Sequence, residues 1–365
     1  MKKFIALFVI FFQFYGLVLQ AQTKKIVFYY NDKKQVKEAF SAHIINNDTI
    51  KHGEYHFFYE DGILMEKGNF LDNELDSVWI IYSKLGKLKN RITFKHNLKN
   101  GLFENYNENG ILCQKGNYVN GKLDGTLSVY YPSGKIKTEY TYRKGALHGI
   151  IKSFREDGKI EQKTSFKNNI NQGLWRSYYK DGSINYKGKK IGGKFVDSLY
   201  VYYNTGKLER VAFYVNGLLD GGFVSYYEDG KKMTKCKYVK NKIEGEYLEY
   251  FENGKIAQKG NYKNDKKEGE WKGYYPDGKV YSTGNFKHNV YDGNWKVYYQ
   301  NGNLKQIGDY KDGKANGEWV FYHENKRINK KGKYYEDLEQ GLWKEYNEKG
   351  KLVNKITYNQ GNRVK

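Results

Sequence analysis

One aromatic recurs every 24 residues, thirteen times without a slip: Phe58, Tyr82, Tyr106, Tyr130, Phe154, Tyr178, Tyr202, Tyr226, Tyr250, Tyr274, Tyr298, Tyr322 and Tyr346. If that aromatic is position 5 of a repeat numbered from 0, the repeats tile residues 53–364 with no insertion or deletion. A period of this length marks a stack of small supersecondary units, so the 365 residues do not divide into conventional globular domains. Tyr, Phe and Trp make up 17% of the chain, too aromatic for a disordered polymer.

Each repeat reads as a β-hairpin. Position 9 is Gly in twelve of thirteen copies (Lys326 is the exception), usually after Asp or Asn, as in Asp157-Gly158 and Asn301-Gly302. Such pairs tolerate positive φ and signal a tight turn between strands. The two prolines, Pro132 and Pro276, share one position just before that dipeptide, which suits a type I turn followed by left-handed Gly. A three-residue loop with a Gly bulge is predicted. The second turn reads like Asn120–Gly125, and its last Gly, at position 0, is replaced only by Ser77 and Asp197. The expected fold is all-β: one elongated antiparallel meander of about thirteen 24-residue hairpins, roughly 26 strands, with almost no place for helices.

The three-residue loop sets position 5 opposite position 11, which is Leu, Ile or Val in every copy but Lys232. Position 17 (Phe70, Phe94, Tyr118 and their equivalents, broken by Lys190) joins them by the two-residue alternation, and this stripe is the expected core. On the other face the same register places position 2 across from position 14. All six tryptophans (Trp79, Trp175, Trp271, Trp295, Trp319 and Trp343) occupy position 2. Position 14 is basic in nine of thirteen copies: Lys67, Arg91, Lys115, Lys163, Lys187, Lys235, Lys259, Lys331 and Lys355. With two strands per repeat, these cations form a ladder with a spacing of ~10 Å. The tryptophans with the eight lysines are the candidate ligand face, since flat rings stack on sugars and cations attract carboxylate or phosphate. The same residues also fit a second packing face with lysine stems laid over indoles, and repetition by itself makes charge periodic.

No constellation for catalysis stands out. The histidines fall mostly at different positions, and His52 and His56, four apart, lie in a turn and a strand rather than on one helical face. There is no Gly-x-Ser-x-Gly, phosphate-binding Gly loop or Cys-x-x-Cys. Cys113 and Cys236 lie five repeats apart, too far for a disulfide in a linear array. A non-enzymatic protein without cofactor or metal is expected.

Met1-Lys2-Lys3, the apolar run Phe4–Leu19 and then Ala21 follow the pattern of an export signal (residues 1–21) cleaved near Ala21. The run is shorter than a membrane-spanning helix needs. The expected location is the periplasm, the outer membrane or the exterior. Removing residues 1–21 takes away two Lys and no acid, so the mature charge is 61 − 41 = +20. That favours acidic partners: a protein, an acidic glycan or lipid head groups, with nucleic acid least favoured because of export. Residues 22–52 fit the period poorly and read as an N-terminal cap or degenerate repeat ahead of the array at 53–364.

Gly116–Gly125 and Gly260–Trp271 resemble MORN repeats, most closely the bacterial variant with Tyr-Tyr-x-Asp/Asn-Gly-Lys. The resemblance covers about 53–364. It implies a sheet of successive hairpins that binds or scaffolds, with protein or lipid contacts in different members, and self-association is one form this could take. Bacterial members are often grouped as antitoxin-like, a role that an export signal does not suit.

Overall fold

The computed structural model describes residues 23–31 and 34–364, and every regular element among them is a β-strand. The export signal expected at residues 1–21 lies outside the described residues. The strands follow one another as an antiparallel meander in a sheet of 32. Two of these are the N-terminal strands Thr23–Tyr29 and Val36–Ile45, and four are two-residue segments (Lys122–Leu123, Ala146–Leu147, Lys242–Ile243 and Asn362–Arg363). That leaves 32 − 2 − 4 = 26 strands, two for each of thirteen repeats. The chain divides into two compact units: residues up to Ile136 with Tyr142–Gly145, and Lys137–Thr141 with Ala146 onward.

The turns follow from residue chemistry. In the first turn the N–H of Gly62 donates to the Tyr59 carbonyl at 3.0 Å and the N–H of Tyr59 to the Ile63 carbonyl at 2.8 Å. Glu60, Asp61 and Gly62 are thus a three-residue loop, with Gly62 at φ +87°, as predicted. The preceding acid is fixed by its own backbone: Asp277 accepts the N–H of Lys279 at 2.9 Å, and this bond, with the nearby Lys279 charge, holds its carboxyl below the usual range. In the second turn both central residues have positive φ, as at Asn264 (+51°) and Asp265 (+64°), the type I′ geometry that suits strand twist.

The register departs from expectation at one point. Tyr82 pairs with Leu88, as the loop requires, but Ile81 pairs with Asn90, so Lys89 is an extra residue on the returning strand. The same slip recurs, for example, between Gly273 and Tyr274. Every pair beyond this bulge is displaced by one. Position 2 therefore opposes position 15 (Trp79 with Ile92, Trp271 with Gly284), and position 14 opposes position 3 (Arg91 with Ile80). A one-residue slip exchanges the faces. The expected core of positions 5, 11 and 17 is corrected: position 17 packs with the tryptophans, while position 5 shares the opposite face with the position 14 lysines.

The aromatic face is the core. Trp79 meets Phe70 edge-on at 5.2 Å and Phe94 at 6.5 Å; Trp271 meets Tyr262 at 5.2 Å and Phe286 at 5.9 Å. In the first compact unit Phe40, Ala42, Tyr55 and Trp79 form a buried cluster, and in the second Ala315, Trp319 and Trp343 form another. Trp271 and Trp343 are only 2% exposed. Five of the six indoles, all but Trp175, are each seated on a glycine of the preceding repeat. A Cβ on Gly68, Gly260, Gly284, Gly308 or Gly332 would stand 2.1–2.3 Å from the following tryptophan's ring. These glycines have no left-handed φ; their missing side chain makes room for the ring. The indole N–H then donates to a carbonyl ten residues earlier, Trp271 to Asn261 at 3.2 Å and Trp295 to Asn285 at 2.9 Å.

Gly308→Ala should lower the urea midpoint by the equivalent of ~1–3 kcal/mol, the cost of overpacking, because its Cβ meets Trp319 at 2.1 Å. Gly222→Ala, where a Cβ meets nothing within 4 Å, should leave the midpoint unchanged or raise it slightly. Equal effects of the two substitutions would contradict the seat.

Candidate functional site

The structure does not bring the candidate tryptophans and lysines together. Trp79, Trp271, Trp295, Trp319 and Trp343 are buried in the aromatic face. Trp175 is half-buried; it pairs with Gly188 in its own hairpin, but on the preceding repeat it meets Thr164 where the other tryptophans meet Gly. Lys190, the residue that breaks the aromatic column at position 17, lies 4.8 Å above the Trp175 ring, and burial lowers its pKa. Lysine does cap the indoles, but from other columns: Lys267 sits 4.1 Å from Trp271 and 5.0 Å from Phe286, and Lys330 sits 5.1 Å from Trp343. Burial lowers the Lys267 pKa against the opposing pull of Glu249.

The position 14 lysines lie on the other face, among position 3 and 5 residues. Lys163 is 5.8 Å above Tyr178, Lys187 5.6 Å above Tyr200 and Lys259 5.9 Å above Tyr274. Of the nine basic residues in this column, Arg91 and Lys115 share one carboxylate, Glu104, at 4.0 and 3.1 Å. Burial alone would raise the Glu104 carboxyl, but hydrogen bonds from Lys115 and Tyr106 and the charge of Arg91 outweigh it and hold it low. Among the described residues, Lys67, Lys163, Lys187, Lys235, Lys259, Lys331 and Lys355 have no carboxylate within ion-pair distance.

The other candidates separate too. His52 does not join His56; it meets His43 (ring centroids 4.3 Å apart) and Asp72 (Nδ1 to Oδ1, 3.0 Å), while His56 stacks near Phe58. Among the described residues no three His, Cys, Asp or Glu side chains group so as to hold a metal ion. Both cysteines are free. Cys113 is the extra residue of its repeat's bulge, and Cys236 is buried opposite Phe223, where desolvation pushes its thiol up to about 11.

One structural row escaped the sequence reading. The second aromatic of the Tyr-Tyr pair, at position 6, spans one repeat. Tyr203 donates its hydroxyl to the Tyr226 carbonyl at 2.7 Å, Tyr227 to Tyr250 at 2.7 Å and Tyr299 to Tyr322 at 2.7 Å. Arg155 substitutes for it, donating to the Tyr178 carbonyl at 2.6 Å. The Tyr-Tyr dipeptide was the visible signal; that its second hydroxyl bridges repeats needed coordinates.

The profile of the MORN repeat variant matches residues 51–72, 99–120, 123–144, 147–168, 243–264, 267–288, 291–312 and 339–360. All eight matches begin at one phase of the 24-residue period. The chain is a MORN-repeat protein. MORN repeats serve in general as non-catalytic scaffolds for protein or membrane contacts, and the hairpin sheet found here is of that kind. No curated protein sequence matches the chain. Solved structures similar to it include "Crystal Structure of TcdB2-TccC3-Cdc42" (10% identity, TM-score 0.13) and "Crystal Structure of TcdB2-TccC3-TEV" (11%, 0.15). Each alignment covers 93% of this chain, which spans only 26% of the other, and superpositions this poor carry no argument about the MORN protein's function.

Two outcomes follow for this MORN sheet. Desolvation raises the phenols of Tyr262, Tyr310 and Tyr334 above their usual value of 10.0. Their folded-state pKa exceeds the unfolded one, so their contribution is intact below pH 10 and lost as pH rises above it. Ultraviolet titration should show a fraction of the tyrosines ionising late, together with alkaline loss of the sheet. Tyr203→Phe should cost ~0.5–1.5 kcal/mol in urea unfolding through its lost inter-repeat hydrogen bond.

Proposed function

We propose that the chain is a non-enzymatic MORN scaffold, exported by its N-terminal segment, that binds an acidic protein at the cell envelope through the lysine face of its sheet. One observation carries the reading: among the described residues, seven of the nine basic residues at position 14 have no carboxylate within ion-pair distance, although the chain contains 41 acidic residues. Unpaired cations on one face steer and orient an oppositely charged partner. The same charge supports a second reading, an acidic glycan or lipid head group as the ligand. The tryptophans have no part in either, since they are core.

Lys235→Gln, Lys259→Gln and Lys331→Gln together should leave unfolding unchanged and abolish capture of a partner from envelope extracts, with capture by the unaltered protein falling steeply as salt rises. Undiminished capture by the triple variant would refute the lysine face. Capture of protein-free envelope glycan or lipid in place of protein would decide for the second reading. N-terminal sequencing of protein recovered outside the cytoplasm should begin near Gln22; a chain retained in the cytoplasm with Met1 would overturn export.

A further inference from the structure

The position 14 lysines are not equivalent. In the second compact unit Lys163 pairs across the ladder with Arg176, and Arg176 pairs on its other side with Lys187. Lys163 in turn opposes Lys152 on the preceding strand. Four cations thus stand side by side on consecutive strands. Lys152 alone has a carboxylate, Glu139 at 2.9 Å. Like charges directly opposed across strands are destabilising, all the more when partly desolvated. Yet Lys163, Arg176 and Lys187 are all half-buried, whereas Lys235, Lys259, Lys331 and Lys355 of the same column are exposed.

A second observation points to the missing counter-charge. The Nε of Arg176 is buried and has no hydrogen-bond partner, which is costly for a charged donor. Tyr178 and Tyr200 lie beneath the flanking lysines, at 5.8 and 5.6 Å, and offer no negative charge in neutral form. Three strands at ~4.8 Å spacing set the outer cations ~10 Å apart with the guanidinium between them. That is a fork of fixed donors flanked by two mobile ammonium groups, the arrangement suited to a tetrahedral oxyanion. We propose that Lys163, Arg176 and Lys187 form an oxyanion seat for a phosphate or sulfate ester group, with Arg176 as its central donor. The seat is independent of the protein partner proposed above.

Inorganic phosphate and inorganic sulfate, each exchanged for chloride at constant ionic strength, are the probes for the free group. Vesicles carrying phosphatidic acid, tested by flotation, are the probe for the same group on a lipid. Phosphate or sulfate should raise the urea midpoint of the full chain, and Arg176→Gln should abolish that rise. Arg176→Lys, which keeps the charge but loses the fork, should retain only part of it. Lys296→Gln removes a cation from the same column as Arg176 but between Thr283 and Ile307, and it should retain the full rise. In chloride alone Arg176→Gln should be at least as stable as the unaltered protein, since it relieves repulsion, so its folding provides its own control. Flotation that depends on Arg176 would extend the seat to lipid; its absence beside a phosphate shift would confine the seat to soluble esters. An equal anion effect in Arg176→Gln and the unaltered chain, or no effect in either, overturns the seat.

Discussion

The sheet depends on one extra residue per hairpin. Lys89 in its repeat, and its counterpart in the others, slips the register by one just beyond the glycine turn. That slip puts the tryptophans on the face of the position 17 aromatics, where edge-on rings and glycine seats close a core within a single layer. Without it the indoles would lie on the face of the position 14 lysines, apart from the position 17 aromatics. The inter-repeat bonds then follow the same period, with indole N–H groups reaching back ten residues and tyrosine hydroxyls reaching forward to the next repeat.

The division of faces also divides the functions. The aromatic face is committed to cohesion, and lysine laid over rings is among its polar residues, as Lys267 lies over Trp271. The other face carries the unmatched charge, and a MORN scaffold in which one face holds repeats together is free to vary the other. Variation is what the position 14 and position 3 columns show, from the Arg91–Glu104–Lys115 cluster, in which two cations share one carboxylate, to the uncompensated Lys163–Arg176–Lys187 row.

Much of this was legible in the residues. The period, the hairpins, the three-residue loop at Gly62 and the pairing of Tyr82 with Leu88 followed from turn chemistry alone. Membership in the MORN family was legible in segments such as Gly260–Trp271. The face of the tryptophans was misjudged because a bulge leaves no composition signature: position 12 holds Met65, Lys89, Cys113 and Tyr281 with equal ease. A clue was present in the eleven-residue spacing of Gly260 to Trp271, Gly284 to Trp295 and Gly308 to Trp319, which binds a missing side chain to a large ring.

The sequence by itself determined the architecture, because a 24-residue period with glycine and Asx at fixed phases admits only stacked hairpins. It also determined the strongly basic charge and the lysine column. Only the tertiary structure decided which side that column occupies and which of its members lack a counter-charge. The physical reason is that turns are local and face is not: a turn is fixed by the φ that its own residues tolerate, whereas the side on which a strand residue emerges is the sum of every register step between it and the turn. One uncounted step reverses the answer.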